Sequence, residues 1–248
     1  MSSSRDPLLI ALRFLTRLPA PEPHSYVSEL IGRSLLYYPL VGLLLGLGLC
    51  LCAWLMQDTA ASLQAALILA AWVLASGALH LDGLADSADA WIGGLGDRAR
   101  TLAIMKDPAS GPAGVTALVL VLLLKYAALQ ALLAEASWQV LLWTPCLGRA
   151  ALPLLFLTTP YVRPGGLGED LARHLPRCSL HRMLMMLAVL VVLAAGMTGL
   201  ILLLTALATL WGLRRAMLRR LGGCTGDTAG ALVELGETAL LIVAALWT

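Results

Sequence analysis

The chain has 248 residues, of which 59% are hydrophobic and only 13% charged, with a net charge of +2 and a mean hydropathy of +0.84. A soluble domain carries roughly 25% charged residues, so the composition excludes an ordinary cytosolic enzyme, a disordered protein and a secreted disulfide scaffold. The small net charge gives no argument for nucleic acid as a partner, and abundant Leu and Ala beside two Phe favour membrane helices over an aromatic-girdled barrel.

The N-terminal stretch RDPLLIALRFLTRLPAPEP sets Leu8, Leu9, Leu12, Leu15 and Leu18 at helical spacing, with Arg5, Arg13 and Arg17 between them. It is too short and too charged to span, and it is not read as a signal peptide because it has no long apolar core. It is expected to lie on the membrane surface as a basic amphipathic helix, ended by Pro19, Pro21 and Pro23. Apolar runs follow at 37–56, 62–81, 113–134 and 138–159, then a longer one at 179–216 and a last one at 230–248. About 20 residues cross about 30 Å of hydrocarbon, so each shorter run is a candidate span.

The 179–216 stretch fits either one tilted helix or a hairpin turning at Ala195–Gly199. Charge placement decides between them, because Lys and Arg collect in cytoplasmic loops. Bases occur in the N-terminal segment and in the 82–112, 160–182 and 212–229 loops, while the 57–61 and 135–137 connections have none. The two basic loops after residue 160 must lie on one side, so an even number of crossings separates them. Only the hairpin supplies that. The expectation is an all-α polytopic membrane protein, a single domain over 1–248. It has about seven transmembrane helices plus the interfacial helix, with the N-terminus inside.

Cys50, Cys52, Cys146, Cys178 and Cys224 show no metal or redox spacing and are expected to be packing residues without disulfides. The dense polar signal is His80-Leu-Asp-Gly-Leu-Ala-Asp-Ser-Ala-Asp-Ala-Trp91. Asp82, Asp86 and Asp89 stand at i, i+4 and i+7, which stacks three carboxylates on one helix face. Exposed, they repel by a few tenths of a kcal/mol per pair, and at the edge of an apolar run by more. A divalent cation is the natural compensation, and oxygen-only ligands suit Mg²⁺ or Mn²⁺. The competing reading is a solvated acidic helix end with Asp82 as a cap.

A second signal is Gly222-Gly-Cys-Thr-Gly-Asp-Thr-Ala-Gly230, where Asp227 sits at an expected helix start on the same side of the membrane. Asp227 is a candidate further ligand or general base, against the simpler role of N-cap. A third is Met105-Lys106-Asp107-Pro108-Ala109-Ser110-Gly111-Pro112, whose Lys106 is a candidate point charge for a phosphate. His80 is either catalytic or a plain interfacial imidazole. Lys125, Arg149, Glu234 and Glu237 fall inside spans, where ionisable groups face a polar interior or a partner. Acidic and basic groups gathered at one membrane face suit metal-assisted phosphoryl transfer. A transporter is the rival of another class, and its site would be expected near the midplane.

The stretches ALRFLTRLPAP, YYPLVGLLLG, HLDGLADSADAW, IMKDPASGPAG and GCTGDTAGALVE run in order from about residue 8 to the C-terminus. They resemble the cobalamin synthase family, the adenosylcobinamide-GDP ribazoletransferases, with HLDGLADSADAW and GDTAGA the most specific pieces. The resemblance implies a polytopic enzyme of the bacterial inner membrane with its active site on the cytoplasmic face. It implies a Mg²⁺-dependent reaction late in coenzyme B12 assembly. That reaction joins adenosylcobinamide-GDP to α-ribazole, or its 5′-phosphate, and releases GMP. On this reading Asp82, Asp86, Asp89 and Asp227 are the metal ligands, and Asp227, Lys106 and Asp89 the catalytic groups. The partners are these substrates and the lipid bilayer, and a homo-oligomer is left open. The chemistry is also similar to that of CDP-alcohol phosphotransferases. Against their motif the Asp-Gly pair is out of order, and Ala231 stands where a further Asp is expected. A lipid-headgroup phosphotransferase is therefore the alternative among enzymes.

Overall fold

A computed structural model describes residues 5–166 and 168–247; the last residue of the expected 230–248 span lies outside them. The helices are α1 (Asp6–Leu15), α2 (Ser28–Ser34) and, through a 3-10 turn (Leu35–Tyr37), α3 (Tyr38–Leu55). They continue as α4 (Ala61–Ser76), α5 (Leu79–Gly93), α6 (Arg98–Ile104), α7 (Pro112–Ala134), α8 (Trp138–Thr158), α9 (Gly168–Arg173), α10 (Arg177–Leu221) and α11 (Gly226–Trp247). Among the described residues no strand forms; one isolated bridge pairs Tyr161 with Cys224. Among the described residues, five helical stretches are long and apolar enough to cross a bilayer, with α10 counted once, or six if α4 and α5 cross together. The molecule is the all-α polytopic membrane protein that its composition predicts. Leu44, Leu47 and Leu51 of α3, Leu120 and Leu123 of α7 and Leu190 and Leu193 of α10 are exposed. In such a protein those leucines belong against lipid.

The 45 residues of α10 would make a rod of about 68 Å, more than twice the hydrocarbon thickness. The chain instead reverses at Gly196, whose φ of 57° and ψ of −131° are not helical. A Cβ on Gly199 would lie 2.4 Å from the carbonyl oxygen of Val191, a pair about 12 Å apart in an unbroken helix. Leu184 and Leu187 of one arm and Leu203 and Leu207 of the other line a common cavity. The hairpin expected at Ala195–Gly199 is therefore present. Glycine alone enters this backbone region without strain, so Gly196→Ala is expected to cost about 1–3 kcal/mol. A thermal midpoint in detergent equal to that of the unmodified protein would contradict that.

The predicted 62–81 span is corrected at its C-terminal boundary. α4 stops at Ser76, and α5 leaves at 89° to it. Gly77 and Ala78 are both left-handed, with φ of 63° and 55°, and two such residues in succession turn the chain out of its helix. The bend is tied to the N-terminal segment, where the Arg17 amide donates to the Ala75 carbonyl at 2.7 Å. With 16 residues, α4 is about 24 Å long and runs from the base-free connection to the basic end, so it is a shorter crossing than the run predicts. Residues 79–81 thus open α5, a 15-residue helix at the end of the bundle that is not itself a span. The small helices α2, α6 and α9 were not expected, because each is about one or two turns without its own apolar stripe.

α1 is amphipathic as expected. Ala11 and Leu15 are buried against Leu35 and Tyr38, while Arg5, Arg13 and Arg17 are exposed. The basic loops gather at one end. Arg98 Nε donates to the Leu221 carbonyl at 2.7 Å, Arg220 Nη2 to that of Trp91 at 2.7 Å, and the Val162 amide to that of Cys224 at 2.9 Å. The base-free connections meet at the other end, where Gln64 Nε2 donates to the Ala53 carbonyl at 2.7 Å and Cys50 Sγ to that of Trp138 at 3.4 Å. All five cysteines are free. Burial pushes the Cys224 thiol up to about 12, so it is an unreactive packing group.

The charges inside the spans pair with one another, although Arg149 Nε and Nη2 have no hydrogen-bond partner among the described residues. Lys125 Nζ donates to Glu234 at 2.6 Å and to Glu237 at 2.8 Å, and Arg149 pairs with the other oxygen of Glu237. Lys125 also lies 4.9 Å from the centre of the Trp72 ring. All four residues are 5% exposed or less. This closed cluster joins α7, α8 and α11, and it is neither a snorkelling rim nor an open path.

Candidate active site

The site is made where α5 crosses α11. Small residues let helix backbones approach closely in membranes. A Cβ on Gly83 would stand 2.7 Å from the carbonyl oxygen of Asp227, and one on Gly230 would stand 3.2 Å from that of His80. The contact sets the first turn of α11 directly against α5. Asp82 and Asp227 therefore line one cavity of about 130 Å³, with Tyr38, His80, Phe156 and Gly226 around it.

The helical register of α5 puts Asp82, Asp86 and Asp89 on one face, as their spacing predicts. Asp82 is exposed, and Asp86 and Asp227 are partly buried. Partial burial pushes the Asp86 carboxyl up to about 6; Asp82, Asp227 and Asp89 raise it further, and Arg163 opposes them. The local charge is thus more negative than its neighbours offset.

Asp89 has a distinct placement. Its two oxygens accept the amides of Gly111 at 2.7 Å and Gly114 at 2.8 Å. These are otherwise unpaired donors at the start of α7. A Cβ on Gly114 would collide with this carboxylate at 2.4 Å. Asp89 thereby fixes the end of the loop that carries Lys106. Lys106 itself is exposed, and among the described residues no ion pair joins it to the carboxylates. His80 is 4% exposed and its Nε2 has no hydrogen-bond partner among the described residues.

The structure adds Arg163, which the sequence reading used only as a topology marker. Its Nη1 donates to Asp227 Oδ2 at 2.5 Å. Its loop is clipped to the glycine-rich segment by the Tyr161–Cys224 bridge, with the Cys224 amide donating to Pro160 at 2.8 Å. The available signal was compositional: Tyr161-Val-Arg-Pro-Gly-Gly166 has the same Pro/Gly setting around one base as the Lys106 loop.

Among the described residues no three acidic, His or Cys side chains enclose an ion as they stand. The donor chemistry nonetheless fits a hard divalent cation. The carboxylates supply oxygen only, and the guanidinium of Arg163 already sits on Asp227 as a cation.

Fold and site together define a polytopic helical membrane protein with a carboxylate cluster at its basic end. The chain belongs to the cobalamin-5-phosphate synthase family, whose model matches residues 7–245. It is 58% identical over 246 residues to the adenosylcobinamide-GDP ribazoletransferase of Pseudomonas paraeruginosa, covering 99% of this chain and 100% of that protein. It is 60% identical over 237 residues to that of Ectopseudomonas mendocina, covering 96% and 97%. It is 59% identical over 242 residues to that of Stutzerimonas stutzeri, covering 97% and 98%. No solved structure matches.

Proposed function

We propose that the chain is a Mg²⁺-dependent adenosylcobinamide-GDP ribazoletransferase, a single integral-membrane phosphotransferase domain acting late in cobalamin biosynthesis. It transfers the adenosylcobinamide-phosphate moiety of adenosylcobinamide-GDP to α-ribazole or its 5′-phosphate. A new O–P bond forms from the ribazole hydroxyl, the bond joining the two phosphates breaks, and GMP leaves. The observation that carries this reading is the junction of α5 and α11, where Asp82 and Asp227 share one cavity. The basic loops at the same end support a reading in which that cavity faces the cytoplasm at a bacterial inner membrane.

Asp82, Asp86 and Asp227 are the residues that would hold the cation; Asp89, expected as a fourth ligand, already has both oxygens engaged by the Gly111 and Gly114 amides. When bound, it supplies neutralisation of the diphosphate oxygens. Asp227 reaches the site from the opposite helix and is also the acceptor for the hydroxyl proton. Asp89 anchors the loop of Lys106 through its two amide bonds, and Lys106 gives a mobile positive charge for the leaving GMP.

The Asp86 carboxyl gives a pH prediction. Because it is pushed up to about 6, it is protonated below that pH, and a cation must then displace a proton. Apparent Mn²⁺ affinity is expected to fall by about tenfold per pH unit below about pH 6, and to level off above it. Spin-resonance titration of Mn²⁺ between about pH 5 and pH 7.5 reads this directly. A flat profile would remove Asp86 from the ligand set.

The donor is tested by incubating the purified protein with Mg²⁺ and either adenosylcobinamide-GDP with α-ribazole or CDP-diacylglycerol with an alcohol. GMP from the first and no CMP from the second is expected. CMP alone would establish the lipid-headgroup reading instead, and silence with both would favour transport.

A further inference from the structure

Among the described residues, Arg163 is the one cation in direct contact with the carboxylates at the α5–α11 crossing. It holds Asp227 at 2.5 Å through Nη1 alone, which leaves the rest of its donor fork unused on that residue. Asp86 also feels its charge. The pair is only partly enclosed, with 25% of the Arg163 side chain and 16% of the Asp227 side chain exposed. The guanidinium is carried by a Pro/Gly-rich loop, and the bridge to Cys224 keeps that loop beside the first turn of α11.

Two charges compete for one carboxylate here. A divalent cation ligated by Asp227 repels the guanidinium at contact distance and weakens its hold on Oδ2. A displaced Arg163 remains tethered at the rim of the cavity. A planar fork of N–H donors in that place matches the paired oxygens of a phosphate, which accepts two parallel charge-assisted hydrogen bonds.

We propose that Arg163 exchanges partners: it is the counter-ion of Asp227 before the cation arrives, and a ligand of the nucleoside diphosphate afterwards. This rests on the reading of Asp82, Asp86 and Asp227 as a cation site. The exchange makes metal and nucleotide binding sequential. The ion frees the arginine, and the freed arginine recruits the diphosphate.

The test uses the full-length protein in detergent or lipid discs, with Mn²⁺ and GDP as probes. Mn²⁺ is titrated first alone, by spin resonance, and GDP is then titrated in its presence. Arg163→Gln removes the competing cation, so it is expected to bind Mn²⁺ several-fold more tightly, yet GDP about tenfold or more weakly. Arg163→Lys keeps the charge but loses the fork. It is expected to leave Mn²⁺ binding near that of the unmodified protein and to restore GDP binding only in part. These opposite movements are what a structural role cannot produce. If Arg163→Gln weakens both ligands or changes neither, the exchange is overturned while the cation site stands. If the unmodified protein binds no Mn²⁺ that Asp227→Asn diminishes, the cation site itself fails and the exchange goes with it.

Discussion

Asp82→Asn and Asp86→Asn are each expected to lower GMP release by about 10²–10³-fold or more while the protein stays folded. The amide keeps the size of the side chain and removes its charge. Asp82 is exposed at the cavity, so its loss leaves no buried donor or acceptor unpaired and little stability is at stake. What disappears is a negative oxygen ligand where the phosphate charge must be offset, and preorganised electrostatic groups of this kind carry rate effects of about that size. Asp89→Asn is expected to behave differently. Its two oxygens accept two backbone amides, and an Asn side chain offers only one acceptor oxygen. That variant should loosen the start of α7 and lower the melting temperature as well as the rate. Turnover and thermal midpoint measured together separate the two cases. Near-normal turnover in both Asp82→Asn and Asp86→Asn would sink the cation-site reading.

The second large effect is expected on stability, from the charge cluster inside the membrane. Lys125→Met leaves Glu234 without its cation and Glu237 with only Arg149. Breaking a buried pair by removing one partner typically costs about 3–5 kcal/mol, because the remaining charge stays desolvated. The double variant Lys125→Met with Glu234→Leu keeps the Arg149–Glu237 pair and removes the orphaned acid, so it should recover a large part of that loss. Chemical or thermal denaturation in detergent reads the difference. A single variant as stable as the unmodified protein would mean that water reaches this cluster, which the burial of all four side chains argues against. The same result would reopen the transporter reading, since a solvated charged path through the bundle is what that reading requires.

Much of this architecture was legible in the chain because membranes simplify the code. Runs of about 20 apolar residues had to become helices, and α3, α7 and α8 match the expected runs to within two residues at each end. The alternation of basic loops required the hairpin at Gly196, which hydropathy alone left ambiguous. The early end of the 62–81 run has a specific cause. Gly77-Ala78 carries no polar residue, so hydropathy runs through a bend that is made by left-handed backbone. Local sequence gave no reason to expect it, because Ala rarely adopts that conformation.

The site was legible in its acids and not in their partners. Asp82, Asp86 and Asp89 stood out by helical spacing, and Asp227 by its glycine-rich context. That Asp89 is engaged by Gly111 and Gly114 depends on a contact between residues more than twenty positions apart, which spacing does not encode. Arg163 was hidden for the same reason. It belongs to a loop whose bases looked like topology markers, and only the Tyr161–Cys224 bridge brings it to Asp227. The intramembrane residues were flagged as polar, but their mutual pairing became visible only once α7, α8 and α11 were packed.

The central claim is that the carboxylates at the α5–α11 crossing work through a divalent cation. It is tested most directly by following GMP release from adenosylcobinamide-GDP with α-ribazole as acceptor, in purified protein first stripped with a chelator and then titrated with Mg²⁺. Release is expected to stop in the chelator, to return with Mg²⁺, and not to return at any Mg²⁺ concentration in Asp82→Asn. Release that continues unchanged in the stripped protein would contradict the claim.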